Sequence, residues 1–121
     1  MATFATNNVV QSIVAALVAA GTLQYVGWGN GSGQSQSDND LASPVDERVV
    51  GAISQQTTTV VGDTFQVIAA LVASATLTIT EAGLFNSLTG GLLGMYGDFT
   101  AMPVSSGDTI TFTMKIVFVA V

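Results

Sequence analysis

The sequence predicts a mainly β protein: a jelly-roll-like β-sandwich of about seven or eight strands with one N-terminal α-helix. Three observations lead there. Near the C-terminal end, Ile110, Phe112, Met114, Ile116 and Phe118 alternate with Thr109, Thr111, Thr113 and Lys115, the period of two that a half-buried strand requires. Clusters of turn-forming residues recur at intervals of about 8–12 residues, as in sandwiches with short strands. Ahead of both, Val9, Val10, Ile13, Val14, Leu17 and Val18 carry the i, i+3, i+4, i+7 spacing of a helix.

Residues 1–6, MATFAT, read as an arm. Thr6, Asn7 or Asn8 is placed to cap the helix, alanines at 15, 16, 19 and 20 favour it, and Gly21 is a C-terminal stop. Its back face, Gln11, Ser12, Ala15 and Ala19, is small and uncharged. A helix that is apolar or neutral all round packs on more than one neighbour. A core helix and a helix at a subunit contact both satisfy that pattern. Val9, Val10, Ile13, Val14 and Leu17, together with Trp28, are therefore candidate assembly-interface residues. The chain divides into an arm and helix, 1–21, and a β-sandwich domain, 22–121.

After Gly21 the pattern changes to strands. Thr22–Trp28 is the first candidate, followed by the polar stretch GNGSGQSQSDNDLASPV over 29–45. A loop of that length in a small domain is usually functional or mobile. Arg48–Ser54 and Thr57–Val61 read as a hairpin, with Gly62-Asp63 a turn. Thr64–Ala73 is apolar on both faces, and its β-branched and aromatic residues favour a strand over a helix. Thr76–Thr80 alternates and Glu81–Phe85 continues it. Thr89-Gly90-Gly91 is a turn before an extended Leu92–Thr100, and Ser105–Asp108 turns into the last strand. Val117, Val119 and Val121 imply that both faces become covered at that end.

Composition bears on function class. Hydrophobic residues are 49% and charged residues 8%, against about 25% charged in an ordinary domain. Ser, Thr, Gly, Asn and Gln stand where Lys and Glu usually do. Such a surface suits a protein covered by copies of itself or by partners. Arg48 and Lys115 are the only basic residues and the net charge is −6, so there is no footprint for nucleic acid or anionic lipid. The longest apolar run, Ile13–Gly21, falls short of the ~20 residues of a membrane span. No Lys or Arg precedes it, so it does not read as a secretory leader. Aromatics, at 7%, are sparse for the girdles of an outer-membrane barrel.

There is no His and no Cys, which removes His-based triads, thiolates and disulfides. A Ser–Lys pair is open only through Lys115, which reads as a solvated or interface position beside three threonines. No catalytic residue, cofactor or metal site is assigned. Asp38, Asp40, Asp46 and Glu47 cluster in sequence and read as a solvated acidic loop, with Ca²⁺ the alternative; the EF-hand pattern is absent. The Gly27–Gly33 run lacks the spacing of a phosphate-binding loop. Glu81, between Ile79 and Leu84, reads as half-buried. Because a buried charge is costly unless paired, a structural Arg48–Glu81 ion pair is expected; an acid catalyst there would lack a second acid–base group. Trp28 reads as a core or interface anchor, with stacking on a sugar the alternative.

The C-terminal half, TLTITEAGLFNSLTGGLLGMYGDFTAMPVSSGDTITFTMKIVF, resembles a recurring pattern in small virion proteins of tailed bacteriophages. Those carry an ITE-G-LF strand, a Gly-containing turn, an L-aromatic-F strand and a final SGDTITFTWKI-F strand. GWGNG, a polar loop and ERVVGAIS are consistent with the same pattern, which covers roughly residues 22–121. This chain departs from it at Met114, where an aromatic is common, and in its apolar N-terminal helix. The resemblance implies a jelly-roll-like domain, often a homotrimer. For a free-standing chain of this size it implies a capsid decoration (cement) protein at the virion surface, with the major capsid protein and itself as partners. Such a protein stabilises the expanded shell by mass action. The alternative is a tail-tip, fibre or neck component with a receptor- or glycan-binding role. A self-assembling matrix protein outside viruses is a third reading, and a cupin-like enzyme would lack its His ligands.

Overall fold

The computed structural model describes residues 3–120. Met1 and Ala2 of the expected arm, and Val121, expected at the covered end of the last strand, lie outside the described residues. The helix α1 spans Asn7–Ala20. Thr6 stands at its N-cap in extended conformation, without a side-chain cap bond, and its carbonyl accepts the amides of Val9 and Val10 at 3.1 and 3.3 Å. Gly21 ends the helix at φ 65°, the left-handed conformation that glycine adopts without steric cost.

Among the described residues seven strands follow: β1 (Tyr25–Gly29), β2 (Pro44–Val50), β3 (Ala52–Gln56), β4 (Thr64–Val72), β5 (Leu77–Phe85), β6 (Leu93–Val104) and β7 (Thr109–Val117). They form two antiparallel sheets, ordered β2-β1-β5-β6 and β3-β4-β7. The chain is thus mainly β, a sandwich with one N-terminal helix, as its periodicity and turn spacing predict. The β1–β2, β3–β4 and β5–β6 connections stay within a sheet, while the chain changes sheet at Gly51, after β4 and after β6.

The alternation read from the sequence places the core. Val26 and Trp28 from β1, Phe65, Val67, Ala69 and Leu71 from β4, Ile79, Ala82 and Leu84 from β5, and Met114 from β7 meet between the sheets. Trp28 stands edge-on to Phe112, ring centroids 6.3 Å apart, and Phe99 stacks on the same ring at 6.2 Å. Each such large side chain stabilises the fold by about 1.5–3 kcal/mol on burial. The helix closes one end of this core. Val10 and Val14 are its buried residues. Gln55, on the same side of β3 as the core residue Ile53, donates its amide to the Gln11 carbonyl at 3.1 Å and the Gly62 carbonyl at 2.8 Å.

Four expectations need correction. Thr57–Val61 is not a strand: the Asp63 carboxylate gathers the amides of Thr58, Thr59 and Val60 into a turn, and β3 pairs with β4 instead. Arg48–Ser54 is not one strand but the end of β2 and the start of β3, broken where the chain changes sheet. β4 is covered on both sides only over Thr64–Val67; beyond it Ile68, Ala70 and Val72 face outward. Towards the end of the chain Val117 and Val119 are exposed, Val119 by 72%, so among the described residues nothing supplies the covering that the valines imply.

Candidate functional site

The outward side of the first sheet is where the sequence motifs converge. Gly27 lies opposite Gly83 and Gly29 opposite Glu81, while Trp28 and Ala82 between them face the core. Glycines on two neighbouring strands leave a shallow lane, and the polar segment 30–43 settles into it. Leu41 is buried on this lane. A Cβ added at Gly83 would stand 2.9 Å from Leu41 Cδ2 and 2.8 Å from Leu93 Cδ1, and one at Gly29 would overlap Glu81 Oε2 and the Ser43 carbonyl oxygen. These two positions need glycine because the loop approaches the sheet so closely.

Glu81 holds the loop there. Its side chain is fully buried and accepts four hydrogen bonds. Oε2 takes the amides of Ser43 at 2.8 Å and Gly31 at 3.1 Å; Oε1 takes the Ala42 amide at 2.9 Å and the Tyr96 hydroxyl at 2.9 Å. Four bonds match the acceptor capacity of a carboxylate. Burial pushes its pKa up, but the Ser43 and Ala42 amides, the Tyr96 hydroxyl and the Gly31 amide outweigh it, so Glu81 sits below its ordinary 4.5. Tyr96 is pushed up to about 12 by its own burial and by donating to this carboxylate. At the loop tip the Gly33 amide reaches Asp98 Oδ2 at 3.1 Å. The long polar stretch is therefore a docked feature of the surface.

The expected Arg48–Glu81 ion pair does not form. Arg48 crosses the glycine lane at Gly27 and lies over the Phe85 ring, 3.4 Å from its centroid, at the other end of the strand pair from Glu81. Its Nη1 donates to the carbonyls of Ser87 at 2.9 Å and Gly90 at 2.7 Å, and Nη2 stands 3.5 Å from Asp40 Oδ1. The guanidinium thereby binds the β5–β6 turn to β2. A buried carboxylate does need compensation, but backbone amides supply it here in place of a counter-ion.

The acidic cluster does not converge either. Asp38 accepts the Ser35 amide at 2.7 Å within its own turn, and Asp40 faces Arg48 and the Leu41 amide. Asp46, at φ 61°, points to Trp28 Nε1 at 3.1 Å and to the Ser74 hydroxyl. Among the described residues no three carboxylates stand together where they would hold a metal ion. Trp28 is fully buried, so its ring offers no face to a sugar or a partner. Val10 and Val14 are likewise spent on the domain's own core. Of the candidate interface residues, Val9 and Ile13 are exposed, by 49% and 43%, and Leu17 partly so. Lys115 is exposed on β7 opposite Gln66.

Asp63 and Tyr96 were not singled out by sequence reasoning. Asp63 is a second buried carboxylate with four donors: the amides of Val60, Thr58 and Thr59 and the Thr64 hydroxyl, all within 2.7–3.0 Å. The Val60 and Thr58 amides, against the effect of burial, hold it far below the usual carboxylate range. Its signal was the Thr-rich run just before it, where hydroxyls and turn amides are within local reach. Tyr96 carried none, since its role depends on lying beside β5.

Two open clefts flank the docked loop. One, of about 360 Å³, lies between Gln34, Ser35, Gln36 and Asp38 and the start of β6 at Leu93–Tyr96. The other, of about 340 Å³, is bordered by Asp40, Glu47, Arg48 and Leu88. No protein-family model matches the chain, and no curated protein matches it in sequence.

Proposed function

We propose that this protein is a non-enzymatic structural component of a tailed-phage particle, a decoration (cement) protein that binds the capsid surface as a homotrimer and stabilises the expanded shell. The observation that carries this reading is how much apolar surface the domain leaves uncovered. Phe4, Val9, Ile13, Val61 and Val119 are exposed on the arm, the helix, the turn before β4 and the tail, and Val50, Val72, Leu88 and Leu92 are exposed elsewhere on the domain. Apolar side chains exposed in that number suit a module whose faces are covered in an assembly. The resemblance of the ITEAGLF and SGDTITF segments to small virion proteins supports the same reading. So does the use of Glu81 and Asp63: both carboxylates are saturated by donors that hold loops, leaving neither poised for proton transfer.

Adding purified protein to undecorated shells, before and after expansion, tests this. Binding of hundreds of copies to expanded shells alone, counted by quantitative mass spectrometry, is the expected outcome, and shells that stay bare would overturn it. A second reading, a tail-tip, fibre or neck component recognising a receptor or glycan, is favoured by the open cleft between Gln34–Asp38 and Leu93–Tyr96, which sets polar side chains beside an aromatic one. It requires a few to a dozen copies per particle, so the same count separates the two.

A further inference from the structure

Asn30-Gly31 is the one Asn-Gly step in the chain. Such a step carries chemistry of its own. The main-chain nitrogen that follows an asparagine can attack the side-chain amide carbon, and glycine, with no Cβ, leaves that approach open. Asn30 is exposed, so water reaches its side chain and takes up what leaves it.

The main chain at this step is held, however. The Asn30 amide donates to the Ser43 carbonyl at 3.0 Å, one residue beyond the last β1–β2 pair. The Gly31 amide, the attacking group, donates to Glu81 Oε2 at 3.1 Å, and the Gly31 carbonyl accepts the Thr80 hydroxyl at 2.6 Å. A Cβ added at Gly31 would stand 2.7 Å from Ala42 Cβ, so the peptide has little room to turn. Ring closure takes the proton off Gly31 N and turns that nitrogen toward Asn30 Cγ, away from Glu81. A peptide fixed in this way reacts only through openings of the loop.

We infer that Asn30-Gly31 is a latent deamidation site, kept closed by the docking of segment 30–43 on Glu81 and opened when that segment is released. In the reaction a bond forms from Gly31 N to Asn30 Cγ and the bond from Cγ to the side-chain nitrogen breaks. That nitrogen leaves as ammonia with the proton that Gly31 N gives up. Water then opens the succinimide at either carbonyl, giving aspartate or isoaspartate with no change of oxidation state. Both products add one negative charge. Isoaspartate also adds one main-chain carbon between the two held amides, so the bonds to Ser43 and to Glu81 cannot both be kept. Release of the loop thereby becomes permanent in the molecules that carry isoaspartate.

Incubation of the full chain in mildly alkaline buffer tests this, with each asparagine followed by peptide mapping and isoaspartate counted with an isoaspartyl methyltransferase. In guanidinium chloride Asn30 is expected to convert before the other asparagines. In the folded wild type it is expected to convert at least about tenfold more slowly than in the denaturant. Glu81→Ala, which leaves the Gly31 amide without its acceptor, should recover about tenfold or more over wild type. Thr80→Val, which removes only the bond to the Gly31 carbonyl, should fall between the two. Asn86, in the β5–β6 turn, should keep its wild-type rate in both variants, which separates release of the loop from global unfolding. Isoaspartate-bearing wild type, resolved from unconverted molecules of the same sample, should exchange amide hydrogens faster over 30–43. Asn30 converting as fast in the folded wild type as in denaturant, converting at the wild-type rate in both variants, or accelerating only together with Asn86 would each overturn the gate. Equal exchange in the two wild-type fractions would overturn the permanence of the release.

Discussion

The carboxylate of Glu81 accepts the amide of Ser43 at 2.8 Å across a sequence separation of 38 residues. That bond and its three companions tie segment 30–43 to the first sheet, and breaking them has local consequences. Glu81→Gln keeps the shape of the side chain but turns an amide group toward donors. Unfolding in denaturant is expected to show a loss of about 2 kcal/mol or more, from donors left without acceptors. Hydrogen exchange should quicken over 30–43, while β4 and β7 keep their protection.

Acid should release the same loop. Glu81 and Asp63 both have folded-state pKa values below their ordinary 4.5 and 3.8. A depressed carboxylate contributes stability that is complete above its unfolded pKa and lost as pH falls through the folded one. Stability is therefore expected to be flat above about pH 5 and to fall below pH 4.5, with the 30–43 and 57–63 segments exchanging faster first. Glu81→Gln should flatten the upper part of that fall. A pH-independent profile in the variant and wild type alike would contradict the assignment.

At the alkaline end the sign reverses. Tyr96 is raised from 10.0 to about 12, so its contribution is complete below pH 10 and lost as pH rises toward 12. Absorbance titration of tyrosinate is expected to show a step near pH 12 that disappears in Tyr96→Phe.

Arg48→Met should free the β5–β6 turn and leave Glu81 bonded. The change removes two carbonyl bonds and a cation–π contact, together about 1–3 kcal/mol. Arg48→Lys is expected to recover little, because an ammonium cannot reproduce the planar fork over Phe85. Exchange rates over 86–92, compared with those over 30–43, separate this from a broken Arg48–Glu81 pair.

Trp28 fluorescence is expected to be blue-shifted and poorly quenched by acrylamide, since its ring is buried against Phe112. Saccharides should leave it unchanged. A quenchable, sugar-sensitive tryptophan would place the ring at the surface.

Gly29→Ala should act as an overpacking change, costing about 1–3 kcal/mol and undocking the loop, because its Cβ would meet both Glu81 and the Ser43 carbonyl. Gly33→Ala, in open space at φ 84°, should strain only the backbone of the loop tip and leave Glu81 bonded. Hydrogen exchange over 30–43 tells the two apart.

Much of the fold was legible because its determinants are local. The alternation from Thr109 to Val117, the helical spacing from Val9 to Val18, the stop at Gly21 and the turns at Gly62-Asp63 and Ser105–Asp108 depend on neighbours a few residues away. They specify element type whatever the topology. That Glu81 is at least half-buried and needs compensation was legible too, from its apolar flanks; its full burial was not. Which groups compensate it was not, because Gly31, Ala42, Ser43 and Tyr96 reach it only once β1, β5 and β6 lie side by side. Likewise Trp28 is as compatible with an interface as with a core until Phe112 is brought beneath it. Exposed Val9 and buried Val10, adjacent on one apolar helix, are separated only by where the end of the second sheet meets that helix. The sequence by itself determined a β-sandwich with a helix and a surface poor in charge. The tertiary structure decided the partners, since hydrogen bonds and burial join residues that the chain alone keeps tens of positions apart.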